Sequence, residues 1–223
     1  MIETLVKMKV PISRLKKPFE YIGKQVVNKN VMNVGAAGGV KSYLPGNEDI
    51  WLHNKLIANA KDVYGIDIDE KSIQYAAKYG YVIHKHDCVS MNLEKKFDVI
   101  IMSDVIEHVN SPVLAVKNLL KHLSPDGILV ITTPNATAGN MMLRAVFRKS
   151  FNVLCDHMTI YYPEHFYAIC ERLGCDMVAV KMLDFTDKSN FATRLKSEVF
   201  KLLTKLSPRL ASTMLVIIKN KHE

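Results

Sequence analysis

One alternation in the sequence restricts the fold more than any other feature. Short apolar runs at Val31–Val34, Val63–Ile66, Tyr81–His84, Phe97–Met102 and Ile128–Thr132 alternate with segments whose apolar residues recur at helical spacing. A run that is apolar throughout, rather than at every second residue, has no solvent face. It fits a strand buried on both sides of a parallel sheet. The intervening helices are marked by their ends. Residues 49–60 place Trp51, Leu52, Leu56 and Ile57 on one side, and Lys71–Lys78 is stopped by Gly80. Ser111-Pro112 supplies an N-cap and a first-turn proline to a helix carrying Val113, Val116, Leu119, Leu120 and Leu123. Pro163–Leu173 is a further helix closed by Gly174, and Met177–Met182 and Met214–Ile218 are late strands. The pattern predicts an α/β, doubly wound, Rossmann-like fold of seven mostly parallel strands with helices on both faces.

At 223 residues the chain is read as a single domain, with a basic N-terminal lead over 1–30 and a helical insert over 184–210 before the last strand. Its four cysteines, Cys88, Cys155, Cys170 and Cys175, show no CxxC spacing. Neither a zinc site nor a disulfide scaffold is expected, and reduced thiols point to the cytoplasm. No stretch of 18 apolar residues is present, and the N-terminus lacks the apolar run of a signal peptide.

The net charge of +8 invites a search for an anionic partner. Residues 1–30 hold seven Lys/Arg against two Asp/Glu, and 181–223 hold nine against four. The remaining 31–180 hold 14 against 16, so the positive excess belongs to the two ends. No run of Lys/Arg exceeds two, which argues against a nucleic-acid arm. Within 191–206, Phe191, Leu195, Val199, Leu202, Leu203 and Leu206 form an amphipathic pattern suited to packing on the core or to peripheral contact with an anionic membrane.

Ligands of such folds bind beyond the carboxyl ends of the strands, so the residues there are the candidates. Asn33-Val34-Gly35-Ala36-Ala37-Gly38-Gly39 follows the first of the five runs, and its small residues let the backbone approach a ligand. Asp67 follows the second and can accept hydrogen bonds from both hydroxyls of an adenosine ribose, whether in NAD or in adenosylmethionine. Asp87 follows the third, where an adenine amino group could be met. Ser103-Asp104-Val105-Ile106-Glu107-His108-Val109 follows the fourth.

With VMNVGAAGG (31–39), YGIDID (64–69), FDVIIMSDVIEHV (97–109) and LSPDGILVITTPN (123–135) in this order, the chain resembles the class I S-adenosylmethionine-dependent methyltransferases. The subgroup it resembles is that of the ubiquinone-biosynthesis O-methyltransferases, over about residues 25–183. The resemblance implies S-adenosyl-L-methionine as cofactor. It places Gly35, Ala36, Ala37 and Gly39 against the methionine part, Asp67 on the ribose and Ile68 on the adenine. Asp87 and Cys88 would flank the adenine edge, and Ser103 would lie beside the methionine end. Asn33 stands where the family usually has Asp or Glu, and Ala37 where it usually has Gly. The residue at 37 fits if its φ is negative.

A sulfonium donor is already activated, so the protein mainly positions the two reactants. An alcohol or phenol acceptor also needs a base, and histidine suits neutral pH. His157 and His108 are the candidates. Asp104, Glu107 and His108 have the i, i+3, i+4 spacing of one helix face. In the quinone-pathway relatives a similar E-x-x-E-H cluster is associated with a divalent metal, although none is predicted here. Tyr161 and Tyr162 are candidates for the acceptor pocket. The expected acceptor is a small molecule: a quinol or phenol, a lipid-linked group or a sugar. Nucleic acid is disfavoured, because Ser103-Asp104-Val105-Ile106 stands where base-methylating enzymes commonly carry an Asn/Asp-Pro-Pro-aromatic run. An NAD-dependent oxidoreductase and a non-catalytic adenosylmethionine-binding protein are the competing readings.

Overall fold

The structure is a computed structural model that describes residues 11–148, 155–183 and 204–221. Among the described residues eight strands form one sheet: β1 (Ile12–Leu15), β2 (Asn30–Val34), β3 (Asp62–Asp67), β4 (Ile83–Lys85), β5 (Phe97–Ser103), β6 (Leu123–Pro134), β7 (Cys175–Leu183) and β8 (Thr213–Asn220). Their order is β1-β7-β8-β6-β5-β2-β3-β4, with β8 antiparallel to both neighbours and every other pair parallel. Among the described residues, the helices that accompany them include α1 (Pro18–Val26), α2 (Leu52–Asn59), α3 (Glu70–Ala77), α4 (Pro112–Lys121), α5 (Gly139–Arg148) and α6 (Pro163–Leu173).

The double winding is visible residue by residue along the central strands. Val31, Val99, Ile101 and Val130 pack with Ile22 and Val26 of α1 and Leu56 of α2. Their neighbours Met32, Ile100, Met102 and Leu129 point the other way, into a cluster with Val116 and Leu119 of α4 and Phe166 and Ile169 of α6. Each side chain of this kind contributes roughly 1.5–3 kcal/mol when fully buried. Both faces being covered is what makes the runs continuously apolar.

The structure departs from the sequence expectation in several places; Leu123, expected on the helix after Pro112, opens β6, and Tyr81 and Val82 precede β4, which begins at Ile83. The strand count is eight rather than seven, because Ile12–Leu15 adds a parallel edge strand to β7. Its four residues are all half-buried, so their apolar content is too weak a signal for a strand. Helix α5 was also not foreseen, since Gly139 and Asn140 open it where a loop is the simpler reading. The expected helix over 49–60 is split: Glu48–Ile50 is a 3-10 turn, Trp51 is extended, and Ile57 is exposed. Finally, Ser111 precedes α4 without a capping side-chain bond, and Pro112 alone marks its start. The 184–203 part of the expected insert and residues 1–10 of the basic lead lie outside the described residues.

No helix among the described residues is long and apolar enough to cross a membrane. All four cysteines are free, and only Cys155 is exposed.

Candidate active site

A cavity of about 320 Å³ lies beyond the carboxyl ends of β2, β3 and β4, where β2 and β5 lead into opposite halves of the sheet. Gly35, Asp67, Ile68, Asp87 and Cys88, five of the expected site residues, line it. His86, Val105, His108, Asn110 and Ser111 line it too. Of these the sequence analysis singled out His108 alone as a functional candidate. The missed signal was position, since all follow β4 or β5 directly.

The turn after β2 is held by backbone bonds. Gly35 and Ala36 N–H both donate to the Ile66 carbonyl at 2.9 Å. Gly35 has φ +74°, and a Cβ there would collide with the Val105 side chain. Ala37 is not among the residues of positive φ, so its methyl costs no strain, and it is buried with Ala36, Val40 and Trp51 beneath the turn. Gly39, also left-handed, opens the 3-10 turn Val40–Ser42. Ala36, Ala37 and Gly39 thus shape the turn from below and do not line the cavity.

Asp67 ends β3 with little exposure. Its Oδ2 accepts from Ala37 N–H at 2.8 Å and its Oδ1 from Asp69 N–H at 3.0 Å. Each carboxylate oxygen has a second lone pair, so both can still accept from a pair of ligand hydroxyls. Asp69 rather than Asp67 caps α3, accepting from Lys71 N–H. Beyond β4, Asp87 Oδ1 accepts from Val89 N–H, and burial pushes the Cys88 thiol up to about 11. Cys88 is therefore a neutral wall of the cavity.

Asn33 does not line the cavity. Its side chain is buried against α2, with Nδ2 3.1 Å from Nδ1 of His53. Ser103 likewise turns to the neighbouring strand, its hydroxyl 2.8 Å from that of Thr132.

The segment after β5 is not the single helix face that its spacing predicts. Asp104 has φ +51°, with its N–H bonded to the Thr132 carbonyl, and Ile106–His108 is only a 3-10 turn. This left-handed step, tolerated better by Asp than by most residues, redirects the chain. Asp104 and Glu107 are therefore not set on one helix face. Loss of surrounding water raises the Asp104 carboxyl. Glu107 is almost fully buried and accepts from the Thr133 hydroxyl at 3.0 Å. Burial, helped by the nearby Asp104 charge, pushes its carboxyl up to about 7.

A distant segment completes this corner. Met158 and Thr159 N–H both donate to the Glu107 carbonyl, at 2.7 and 3.3 Å. That strap brings His157 edge-on to His108, with ring centroids 4.7 Å apart. His108 Nδ1 in turn lies 3.0 Å from the Asp156 carbonyl oxygen. Glu107, His108 and His157 each offer one ligand atom, and these atoms all lie within 4.8 Å of one another. Two imidazoles and a carboxylate are a donor set that fits a divalent metal, with His157 in the place the spacing gave to Asp104. Tyr161 is buried, its hydroxyl donating to the Ile106 carbonyl at 3.4 Å, whereas Tyr162 is exposed.

Known proteins carry the same architecture. A 28% identical stretch of 129 residues relates the chain to a ubiquinone biosynthesis O-methyltransferase of Rickettsia conorii, covering 55% of this chain and 41% of that protein. Its counterpart from Haemophilus ducreyi is 27% identical over 140 residues, covering 56% and 55%. The chain thus spans about half the length of these curated relatives. Among solved structures, a SAM dependent methyltransferase from Archaeoglobus fulgidus superposes with a TM-score of 0.58 at 17% identity, covering 90% of each chain. The magnesium protoporphyrin IX methyltransferase of Synechocystis, solved with bound SAH, gives 0.58 at 14% identity, covering 92% of this chain and 83% of that one. A family model for the methyltransferase domain matches residues 11–180, from β1 into β7, and the chain belongs to that family.

Proposed function

We propose that this protein transfers a methyl group from S-adenosyl-L-methionine to an oxygen of a small acceptor. The observation that carries the reading is the position of His108. It lines the cavity bounded by Gly35 and Asp67 and also belongs to the cluster with Glu107 and His157. A donor in the cavity and a proton acceptor at its rim would then share one wall. The relatives named for O-methylation support oxygen as the acceptor atom.

In this reading the backbone of the Gly35 turn and the Asp67 carboxylate hold the cofactor. Ile68 and Val109 cover its apolar surface, and Asp87 meets its adenine edge. The bound sulfonium supplies an activated methyl group for in-line displacement. The protein's own contribution is orientation and removal of one proton. His157 is the base, because its half-buried ring stands over His108 and is held there by the strap on Glu107. His108, anchored by Asp156, orients it. Glu107 carries its negative charge above about pH 7. A divalent metal held by Glu107, His108 and His157 would instead lower the pKa of an acceptor hydroxyl.

The test is calorimetry with adenosylhomocysteine and with NAD, followed by transfer of labelled methyl to a panel of phenols, catechols and sugars. Saturable adenosylhomocysteine binding with label on an acceptor oxygen is the expected result. Binding of NAD alone overturns the reading, and cofactor binding without transfer to any acceptor favours a non-catalytic role.

A further inference from the structure

The cofactor turn rests on a polar contact that packing alone does not require. Asn33, the next-to-last residue of β2, is buried, and its register partner on β3 is Gly65. A Cβ on Gly65 would lie 2.7 Å from Cε1 and 3.1 Å from Nε2 of His53, so the missing side chain is the space the His53 ring fills. The same imagined Cβ would be 3.1 Å from that of Ala36, which places the ring directly beneath the turn. His53 extends from α2, rests on Trp51 and Tyr81, and meets Asn33 at 3.1 Å. Its Nε2 is the one buried side-chain N or O among the described residues with no partner. A glycine inside a strand weakens it, and two buried polar side chains cost more than an apolar pair. Their place is directly under the turn that bounds the cavity, where a local exception to apolar packing points to function.

We propose that His53 and Asn33 are a neutral positioning pair that holds the Gly35–Ala37 turn in its cofactor-binding shape. The inference rests on the reading that the cavity takes an adenosyl cofactor. Asn33 Nδ2 donates to Nδ1, which leaves the His53 proton on Nε2. Burial pushes the His53 imidazolium down to about 4, so the pair carries no charge at neutral pH. The titratable groups facing it are few. Tyr81 is raised by burial and donates to Asn54, and Asp67 lies two residues along β3 from Gly65, committed to Ala37. The support beneath the turn is therefore insensitive to pH, and no fixed charge is added under a cationic donor.

Four variants test the pair. His53→Phe keeps the ring packing and removes both nitrogens. Its affinity for adenosylhomocysteine is expected to fall about tenfold, the worth of one buried hydrogen bond, with kcat at saturating cofactor nearly unchanged. His53→Gln, which keeps a polar atom within reach of Asn33, recovers part of the loss. Asn33→Asp puts a carboxylate against His53, raises its NMR titration midpoint in the ligand-free protein, and gives adenosylhomocysteine affinity a pH dependence that differs from that of the wild type and follows the His53 midpoint. Should His53→Phe not fold, Asn33→Leu breaks the same contact from β2 and is read by the same affinity loss. A folded His53→Phe that binds as wild type, or an unmoved His53 midpoint in Asn33→Asp, overturns the pair. Wild-type protein that binds no adenosylhomocysteine defeats the function reading instead, while the His53 midpoint, read without ligand, still decides the contact.

Discussion

The Val105 side chain occupies the volume that any side chain at residue 35 would need. Val105 comes from the segment after β5 and Gly35 from the turn after β2. The two strands are neighbours, so their ends close on one another at the cavity.

Gly35→Ala should therefore fail twice, through the collision and through its φ of +74°. The left-handed conformation alone costs a non-glycine residue roughly 1–2 kcal/mol. Calorimetry should show adenosylhomocysteine affinity falling at least tenfold, with a lower melting temperature. Val105→Ala in the same chain should return part of both, because it relieves the collision and leaves the φ penalty.

Asp67→Asn should weaken cofactor binding more than its size suggests. The carboxylate accepts from two backbone N–H groups, of Ala37 and Asp69. An amide presents an NH₂ to one of them and leaves that donor unpaired. Loss of a hydrogen bond to a charged group is worth about 1.5–3 kcal/mol, or about ten- to a hundredfold in affinity. A titration in which Asp67→Asn binds as wild type would show that this carboxylate supports neither turn nor ligand.

His157→Ala should lower turnover by about 10²–10⁴-fold while leaving cofactor affinity within a few fold, as expected of a base on the acceptor side. His157→Ala and His108→Ala are not expected to be additive, because the two rings are in contact. Single-turnover rates with a phenolic acceptor, with and without a chelator, separate the base from the metal arrangement. Only the second is lost on chelation.

Glu107 predicts the direction of a pH effect on stability. Its folded-state pKa is raised, from 4.5 to about 7, mainly by burial. The protonated form is thus favoured in the native state. The associated stability is complete below the unfolded value of 4.5 and is lost as the pH rises through about 7. Glu107→Gln stays neutral throughout and keeps a group able to meet Thr133. In metal-free protein its unfolding free energy should match wild type near pH 4 and exceed it at pH 8, by no more than roughly 3 kcal/mol. An advantage at pH 4 that vanishes at pH 8 would reverse the sign and overturn the assignment.

Much of the fold was legible because apolar continuity is a local property. A run such as Phe97–Met102 has to be buried on both faces wherever it lies, so strand, sheet type and winding followed from the letters. The edge strand β1 and helix α5 were not legible for the complementary reason. Both are short or half-exposed, and β1 is defined by its pairing with β7, more than 160 residues away in the chain. Gly35, Asp67, Ile68, Asp87 and Cys88 could be placed together because each stands just beyond a strand, where the topology fixes the cavity. The spacing of Asp104, Glu107 and His108 misled, because one residue at positive φ ends the helical periodicity on which such spacing depends.

The sequence by itself determined a parallel sheet covered on both faces and the stations along it where a ligand is met. It did so because strand burial and strand ends are written in consecutive residues. Only the tertiary structure decided that His157 stands on His108, that Asn33 answers to His53 and that Val105 forbids a side chain at 35. Each of these joins segments with no local signal for one another. They meet because the backbone bonds and packing of the sheet leave them one place to go.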